Sequence, residues 1–264
     1  MEDGPSQTSY SVPPVERALK LLHYIGSGQR ARNLSTVSRE LGINRTTLIR
    51  LIHTLLAHRM IEELGDGGGY RLGAGLVSLG AQAIQDRDIV LVCQPILRAL
   101  CAETGMSAHL GILDGQEIIY LGREAPNSHL VSNVRTGSRL SAPASSIGRA
   151  ILAEFSDTQL RQLFAEGMPP PTTDKSPQSL DAILRQAHHD KAEGYAWSRG
   201  NYEAGIGSCA AAVFDHTGQV VGSINVSGPD ARFAEGDAGR DPTLIAAVTS
   251  AARQASAALG YSGS

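Results

Sequence analysis

The stretch 43-INRTTLIRLIHTLLAHRM-60 decides how the first quarter of the chain folds. Asn44 is a good helix cap, and Leu48, Leu51, Ile52, Leu55 and Leu56 recur at the helical period that makes one apolar face. The first turn carries Arg45, Thr46 and Thr47, with Arg50 next along, and no acid. The positive end of a helix dipole favours Asp or Glu there, so a basic start is intrinsically unfavourable. It suits a helix whose N-terminus meets an anion outside the protein.

The neighbouring segments place that helix in a motif. PVERALKLLHYIGSG (14–28) puts Val15, Ala18, Leu19, Leu22 and Ile25 on a helical stripe, with Pro14 in the first turn and Gly26 at the end. NLSTVSRELGI (33–43) predicts a short second helix, capped near Ser35 and closed at Gly42, with Leu34, Val37 and Leu41 pointing inward. The link to the third helix is as short as a helix-turn-helix needs. MIEELGDGGGYRL (60–72) then reads as two strands around a glycine-rich loop. Three helices and a hairpin make a winged helix-turn-helix over residues 13–73, preceded by a disordered arm over 1–12.

In such a domain the start of the second motif helix enters the DNA major groove. Arg45, Thr46, Thr47 and Arg50 are therefore the expected base and phosphate contacts, with His53 a weaker candidate one turn on. Ser35 and Arg71 complete the DNA-facing set. Taken alone, the helix reads equally as a surface helix with solvated arginines; the wing, the turn spacing and the charge distribution favour DNA. Between Val15 and Arg71 nine basic residues face five acids, a balance of +4 in a chain whose net charge is -3. A basic module that meets phosphates is thus joined to an acidic remainder that does not.

At 264 residues the chain is long enough for two domains, and its 42% hydrophobic and 19% charged content is that of an ordinary globular protein. The N-terminus lacks a basic start followed by an apolar core, and no stretch reaches the length of a membrane span, so a cytoplasmic location is expected. Cys93, Cys101 and Cys209 are odd in number and show no CxxC spacing, as for free thiols in a reducing compartment. Buried core thiols are the favoured reading of Cys93 and Cys101 over a redox sensor.

After the wing, residues 74–88 read as a linker helix and 89–260 as a second domain. SAHLGIL and EIIYLG around a DG turn form one expected hairpin; SCAAAVFD and VVGSINVSG, joined by HTGQ, form another. Helical stretches lie between them at SSIGRAILAEF, TQLRQLF and SLDAILRQAHHDKAEG. The fold class is α+β, with a mainly antiparallel sheet flanked by helices. The proline-rich GMPPPTTDKS has no reading beyond flexibility.

The segments VERALKLL, SRELGINRTTLIRLIHTLLAHRMIE, YRLG, GSRLSAPASSIGRAILA, GYAWSRGNYEAG and VVGSINVSGP occur in an order that resembles the isocitrate lyase regulator (IclR) family of bacterial transcription factors. The resemblance runs from Val15 to about Phe233. It implies a winged-helix reader of double-stranded operator DNA, a linker helix and a GAF-like domain that binds a small organic acid. It also implies a homodimer or dimer of dimers, and leaves repressor or activator open. Matched position by position, the family's effector loop usually carries His where this chain has Pro143, followed by Ala144, Ser145 and Ser146. A frequent pocket Asp falls near Ser198, a Cys near Ser208, and two Ser positions at Asn225 and Ser227. These departures replace an acid and a thiol by hydroxyls and one hydroxyl by an amide, so no particular family effector is carried over.

Strand alternation supports a pocket independently, because Ser223, Asn225 and Ser227 share one face opposite Ile224 and Val226. Ser208 shares its face with Ala210 and Ala212, which leave room above the sheet. Ser145 and Ser146 open a helix whose backbone N–H groups suit a carboxylate. Trp197 walls the cavity and favours an aromatic acid, or is plain core; Tyr120 carries the same two readings. The polar row itself reads either as a pocket or as ordinary sheet surface.

The other class is a small-molecule-binding or hydrolytic enzyme whose winged helix serves protein contacts. The sequence offers it little. No GxSxG elbow, phosphate loop or dinucleotide fingerprint occurs, so no cofactor is expected. Adjacent His188 and His189 project about 100° apart on a helix, and with Asp190 they read as a solvated helix end rather than a metal site.

Overall fold

The computed structural model describes residues 11–85, 88–126, 134–234 and 240–263. The expected N-terminal arm falls, through residue 10, outside the described residues. The chain forms two compact units, Met1–Asp86 and Arg87–Ser264.

The first unit runs α1 (Pro13–Gly26), α2 (Leu34–Leu41), α3 (Arg45–Ala57), β1 (Ile61–Leu64), β2 (Gly69–Leu72) and α4 (Ala74–Gln85). Leu21, Ile25, Val37, Ile43, Leu48, Ile52, Leu55 and Ile61 form its core. Two details differ from the sequence reading. Val15 and Leu19 are 55% and 51% exposed, because the buried face of α1 is centred on Leu21 and Ile25 instead. The cap of α2 is Asn33, whose side chain accepts from the Ser35 and Thr36 N–H groups; Ser35 is the second helical residue.

The wing is an antiparallel pair with Ile61 opposite Leu72 and Leu64 opposite Gly69. Asp66 and Gly67 both have positive φ, at 58° and 69°, and Gly68 N–H bonds the Gly65 carbonyl. That is the mirror-image turn an Asp-Gly pair favours, and it matches the twist of the hairpin. Gly69 is required for a different reason: a Cβ there would lie 1.9 Å from the Arg30 carbonyl oxygen. The close approach lets Tyr70 N–H bond that carbonyl at 2.7 Å and ties the wing to the chain before α2.

The second unit runs α5 (Asp88–Thr104), β3 (Ser107–Asp114), β4 (Glu117–Glu124), β5 (Arg139–Ser141), α6 (Ser146–Leu152), α7 (Asp157–Leu163), α8 (Leu180–Glu193), β6 (Ala196–Arg199), β7 (Ile206–Phe214), β8 (Val220–Pro229) and α9 (Pro242–Ala258). Its sheet has the order β5-β4-β3-β8-β7-β6, antiparallel at every pairing. Helices α5 and α9 cover one face, where Leu110, Trp197, Cys209, Val213, Ile224 and Val226 are buried. Helices α6 and α8 cover the other, with Ile118, Tyr120, Ala196 and Ala210 beneath them. The short outer strands β5 and β6 and the long helix α9 were not foreseen from the sequence.

Two more corrections concern α8 and the proline-rich loop. His188 and His189 are exposed, but Asp190 is buried and accepts two hydrogen bonds from the Arg149 guanidinium on α6, at 2.7 and 2.9 Å. Gln186 also donates to it. The loop after α7 is organised by Ser176, whose hydroxyl accepts from the Thr172 and Thr173 N–H groups and donates to the Asn201 carbonyl.

Removing one partner of a buried pair leaves a desolvated charge. We expect Asp190→Ala to lower unfolding stability in urea by about 3–5 kcal/mol. Asp157→Ala removes the exposed partner of His188 and should cost less than about 1 kcal/mol.

Candidate functional site

Two regions carry functional chemistry. The first is the outer face of α3. Asn44 caps the helix by accepting from Thr47 N–H at 2.8 Å, which fixes the start of the helix. Arg45, Thr46, Arg50 and His53 are exposed and Thr47 is half-buried, while Leu48, Ile52 and Leu55 hold the opposite face in the core. No acid occupies the first turn. Ser35 is exposed, with its N–H bonded to Asn33. Arg71 is differently engaged: its guanidinium binds Glu62 at 2.8 Å, and the same carboxylate accepts from Ala74 N–H. It braces the wing against the start of α4.

The second region is a cavity between the sheet and α6. Strand pairing sets its floor. Ser198 lies opposite Ser208, Ser208 opposite Ser227, and Ser227 opposite Ser107, so a row of serines crosses β6, β7, β8 and β3. One rung away Ala210, Asn225 and His109 form the next row on the same face. The cavity is lined by Ser198, Ser208, Ser227, Asn225 and His109 from the sheet, with Ser145 and Ser146 from the start of α6. Tyr120, Leu140, Val134 and Ile206 supply apolar walls, and Tyr202 and Glu203 stand beside them. Its volume, counted as room for water centres, is about 40 Å³, which holds roughly three waters.

Seven of the residues expected from the sequence therefore meet here: Ser145, Ser146, Ser198, Ser208, Asn225, Ser227 and Tyr120. Trp197 does not. It precedes Ser198 in β6, so alternation sends its indole to the opposite face, where it packs on Phe233 at 5.2 Å and donates to the Phe233 carbonyl. Ala144 is buried beside the loop but is not among the lining residues. The helix start is also less open than expected, since Ser145 Oγ already accepts from Gly148 N–H.

His109 was missed, although the alternation Ser107-Ala108-His109-Leu110 carried the signal. It is 1% exposed. Its Nδ1 lies 2.9 Å from Asn225 Oδ1, and the Asn225 amide nitrogen donates to Ser146 Oγ at 3.3 Å. Tyr120 packs edge-on against the ring at 5.4 Å. Two buried atoms of the cavity, His109 Nε2 and Ser227 Oγ, have no hydrogen-bond partner among the described residues. Burial pushes the imidazole pKa down to about 4, assisted by repulsion from Arg123 and opposed by the bond to Asn225. Burial likewise raises the Tyr120 phenol above its ordinary value.

A helix-turn-helix with a basic reading helix, followed by a domain enclosing a polar cavity, defines a ligand-responsive DNA-binding regulator. Residues 14–65 match the IclR helix-turn-helix domain, and residues 81–257 match the bacterial transcriptional regulator IclR C-terminal domain. The chain belongs to the IclR family of bacterial transcriptional regulators. It is similar to the regulator XynR of Escherichia coli K12, 28% identical over 216 residues that cover 82% of this chain and 86% of the relative. A solved structure from Rhodococcus sp. RHA1 is 25% identical with a TM-score of 0.81, covering 94% of this chain and 98% of its own. An IclR homologue from Microbacterium hydrocarbonoxydans, solved with 4-hydroxybenzoate, shares the fold at 19% identity with a TM-score of 0.77, covering 93% and 98%. No helix among the described residues is long and apolar enough to cross a membrane.

The depressed His109 pKa has a consequence for stability. Below the ordinary value near 6.5 the unfolded chain takes up a proton that the folded protein refuses until about pH 4. Stability is thus full above pH 6.5 and falls as the pH drops through that window, by about 2 kcal/mol between pH 7 and 5. In urea titrations at those two pH values, His109→Phe should lose less stability than the wild type by about that amount.

Proposed function

We propose that this regulator holds a small carboxylic acid in the serine-lined cavity, and that Arg45, Thr46, Thr47 and Arg50 read operator DNA. The observation that carries the effector assignment is the pair of buried polar atoms without a partner among the described residues, His109 Nε2 and Ser227 Oγ, in a cavity whose other lining is hydroxyls, the Asn225 amide, apolar walls and the exposed Glu203 at its edge. Native proteins satisfy buried polar groups, so a site that leaves two of them bare is built for a guest. Hydroxyl donors from Ser208 and Ser227 suit a carboxylate, while the Ser198 hydroxyl already donates to Asn201 Oδ1 at 3.1 Å.

Size favours an aliphatic acid. An apolar cavity that accepts a benzene ring measures about 150 Å³, against about 40 Å³ here. Trp197, the residue that suggested an aromatic guest, faces away. The 4-hydroxybenzoate in the Microbacterium protein supports a small acid in this fold without supplying its identity here.

We read the functional form as a homodimer. Val12, just before α1, and Val15 and Leu19 on it form an exposed apolar line, 57%, 55% and 51% accessible, as a face that meets a second copy would be. A symmetric dimer implies a palindrome-like operator. Effector binding changes DNA affinity only if the acid prefers one of two arrangements of the protein. Arg71 is left out of the reading set because Glu62 holds it; Ser35 remains as a backbone-phosphate contact.

Two measurements test these assignments. Fluorescence anisotropy on the protein's own upstream DNA should show Arg45→Ala and Arg50→Ala each weakening binding by about 1–3 kcal/mol where a base is read. Where a phosphate is contacted instead, the slope of log affinity against log salt should fall by about 1 per arginine. Unchanged affinity and slope in both variants would remove α3 from the interface. Ser208→Ala with Ser227→Ala should abolish the response of the DNA complex to the acid while leaving DNA binding intact; a normal response would remove the cavity.

A further inference from the structure

We propose that the cavity selects a short hydroxy acid, whose hydroxyl donates a hydrogen bond to His109 Nε2 while its carboxylate takes the Ser208 and Ser227 hydroxyls; this rests on the effector-site reading above. The argument begins with Asn225. Its carbonyl oxygen faces His109 Nδ1 at 2.9 Å and its amide nitrogen faces Ser146 Oγ at 3.3 Å. A carbonyl only accepts, so Nδ1 carries the ring proton. Burial keeps the ring neutral, and a neutral imidazole protonated at Nδ1 presents a lone pair at Nε2. That lone pair is buried and has no donor among the described residues.

The ligand must therefore bring a donor to this point. A carboxylate cannot, since its oxygens only accept and would oppose the lone pair. A 2-oxo acid cannot either, because its keto oxygen is a second acceptor. An unsubstituted acid leaves Nε2 bare. A hydroxyl satisfies it and is compact enough for the space.

The sheet also sets the length of the guest. Ser208 and Ser227 occupy one rung and His109 with Asn225 the next on the same face. Two residues along a strand span about 7 Å, so a guest that bridges the two rows is short. Ser227 Oγ, the other buried atom without a partner, donates to the carboxylate at one end. His109 accepts from the hydroxyl at the other.

The test is calorimetric titration of the full-length protein with matched sets: glycolate, glyoxylate and acetate; lactate, pyruvate and propionate; 3-hydroxybutyrate, acetoacetate and butyrate. We expect at least one hydroxy acid to bind about tenfold or more tightly than both of its counterparts, the scale set by leaving a buried acceptor unsatisfied. His109→Phe should erase that preference. Should this variant fail to fold, the ranking on the wild type decides alone. An oxo or unsubstituted acid that binds as tightly as its hydroxy partner in every set overturns the hydroxy-acid assignment and leaves the cavity reading standing. Binding that survives Ser208→Ala with Ser227→Ala, or no binding by any member of the panel, overturns the cavity reading and this assignment together.

Discussion

The second unit depends on one constraint: its antiparallel sheet is covered by helices on both faces. A sheet with one wet face could carry a polar row at no cost, because water would satisfy it. Here Ser107, His109, Ser223, Asn225 and Ser227 alternate with Ala108, Leu110, Ile224 and Val226, and both sets are buried. The apolar set packs under α5 and α9 in the ordinary way. The polar set has to find partners under α6, and it does so only in part: Ser223 donates to the Ala211 carbonyl and Asn225 bridges His109 and Ser146. What remains bare defines the site.

Helix α6 is held over that polar face by two features that serve each other. Gly148 lets the helix press on the preceding loop, where a Cβ would lie 2.2 Å from the Ala142 carbonyl oxygen. One residue on, Arg149 reaches outward to the buried carboxylate of Asp190 on α8. A buried ion pair of this kind adds little net stability over an apolar pair of the same shape. Its two-pronged geometry does fix direction. The pair thus clamps α6 to α8, and in doing so fixes where Ser145 and Ser146 stand over Asn225.

The legibility of the sequence follows from which interactions are local. Both hairpins of the sheet, the wing and the helices other than α9 were readable because their signals lie within a few residues: Asn44 before an apolar stripe, Asp66-Gly67 between strands, alternation in β7 and β8. The polar face of the sheet was readable for the same reason, and Ser208, Asn225 and Ser227 came from it, while Ser145 and Ser146 were read from the start of a helix. The misreadings involve partners far along the chain. Asp190 looked like a solvated helix end because Arg149 lies 41 residues earlier. Trp197 was assigned to the cavity by its chemistry, although its parity with Ser198 places it on the other face. His109 had the right parity but no local reason to stand out, since its partner Asn225 is 116 residues away.

The first unit shows the converse trade. Its reading helix keeps Arg45 beside the positive end of its dipole and has no acid in the first turn, a choice that weakens the free helix by some tenths of a kcal/mol. Asn44 offsets this by capping Thr47 N–H, and three apolar residues on the inner face anchor the rest. The same positive end becomes favourable once a phosphate or the electronegative edge of a guanine lies against it. The helix is therefore less stable alone than it would be with Glu at the first position, and better matched to DNA. Local rules fail at both sites for one reason: each leaves a group that only an outside partner satisfies, a cationic helix start in one unit and a bare imidazole nitrogen in the other.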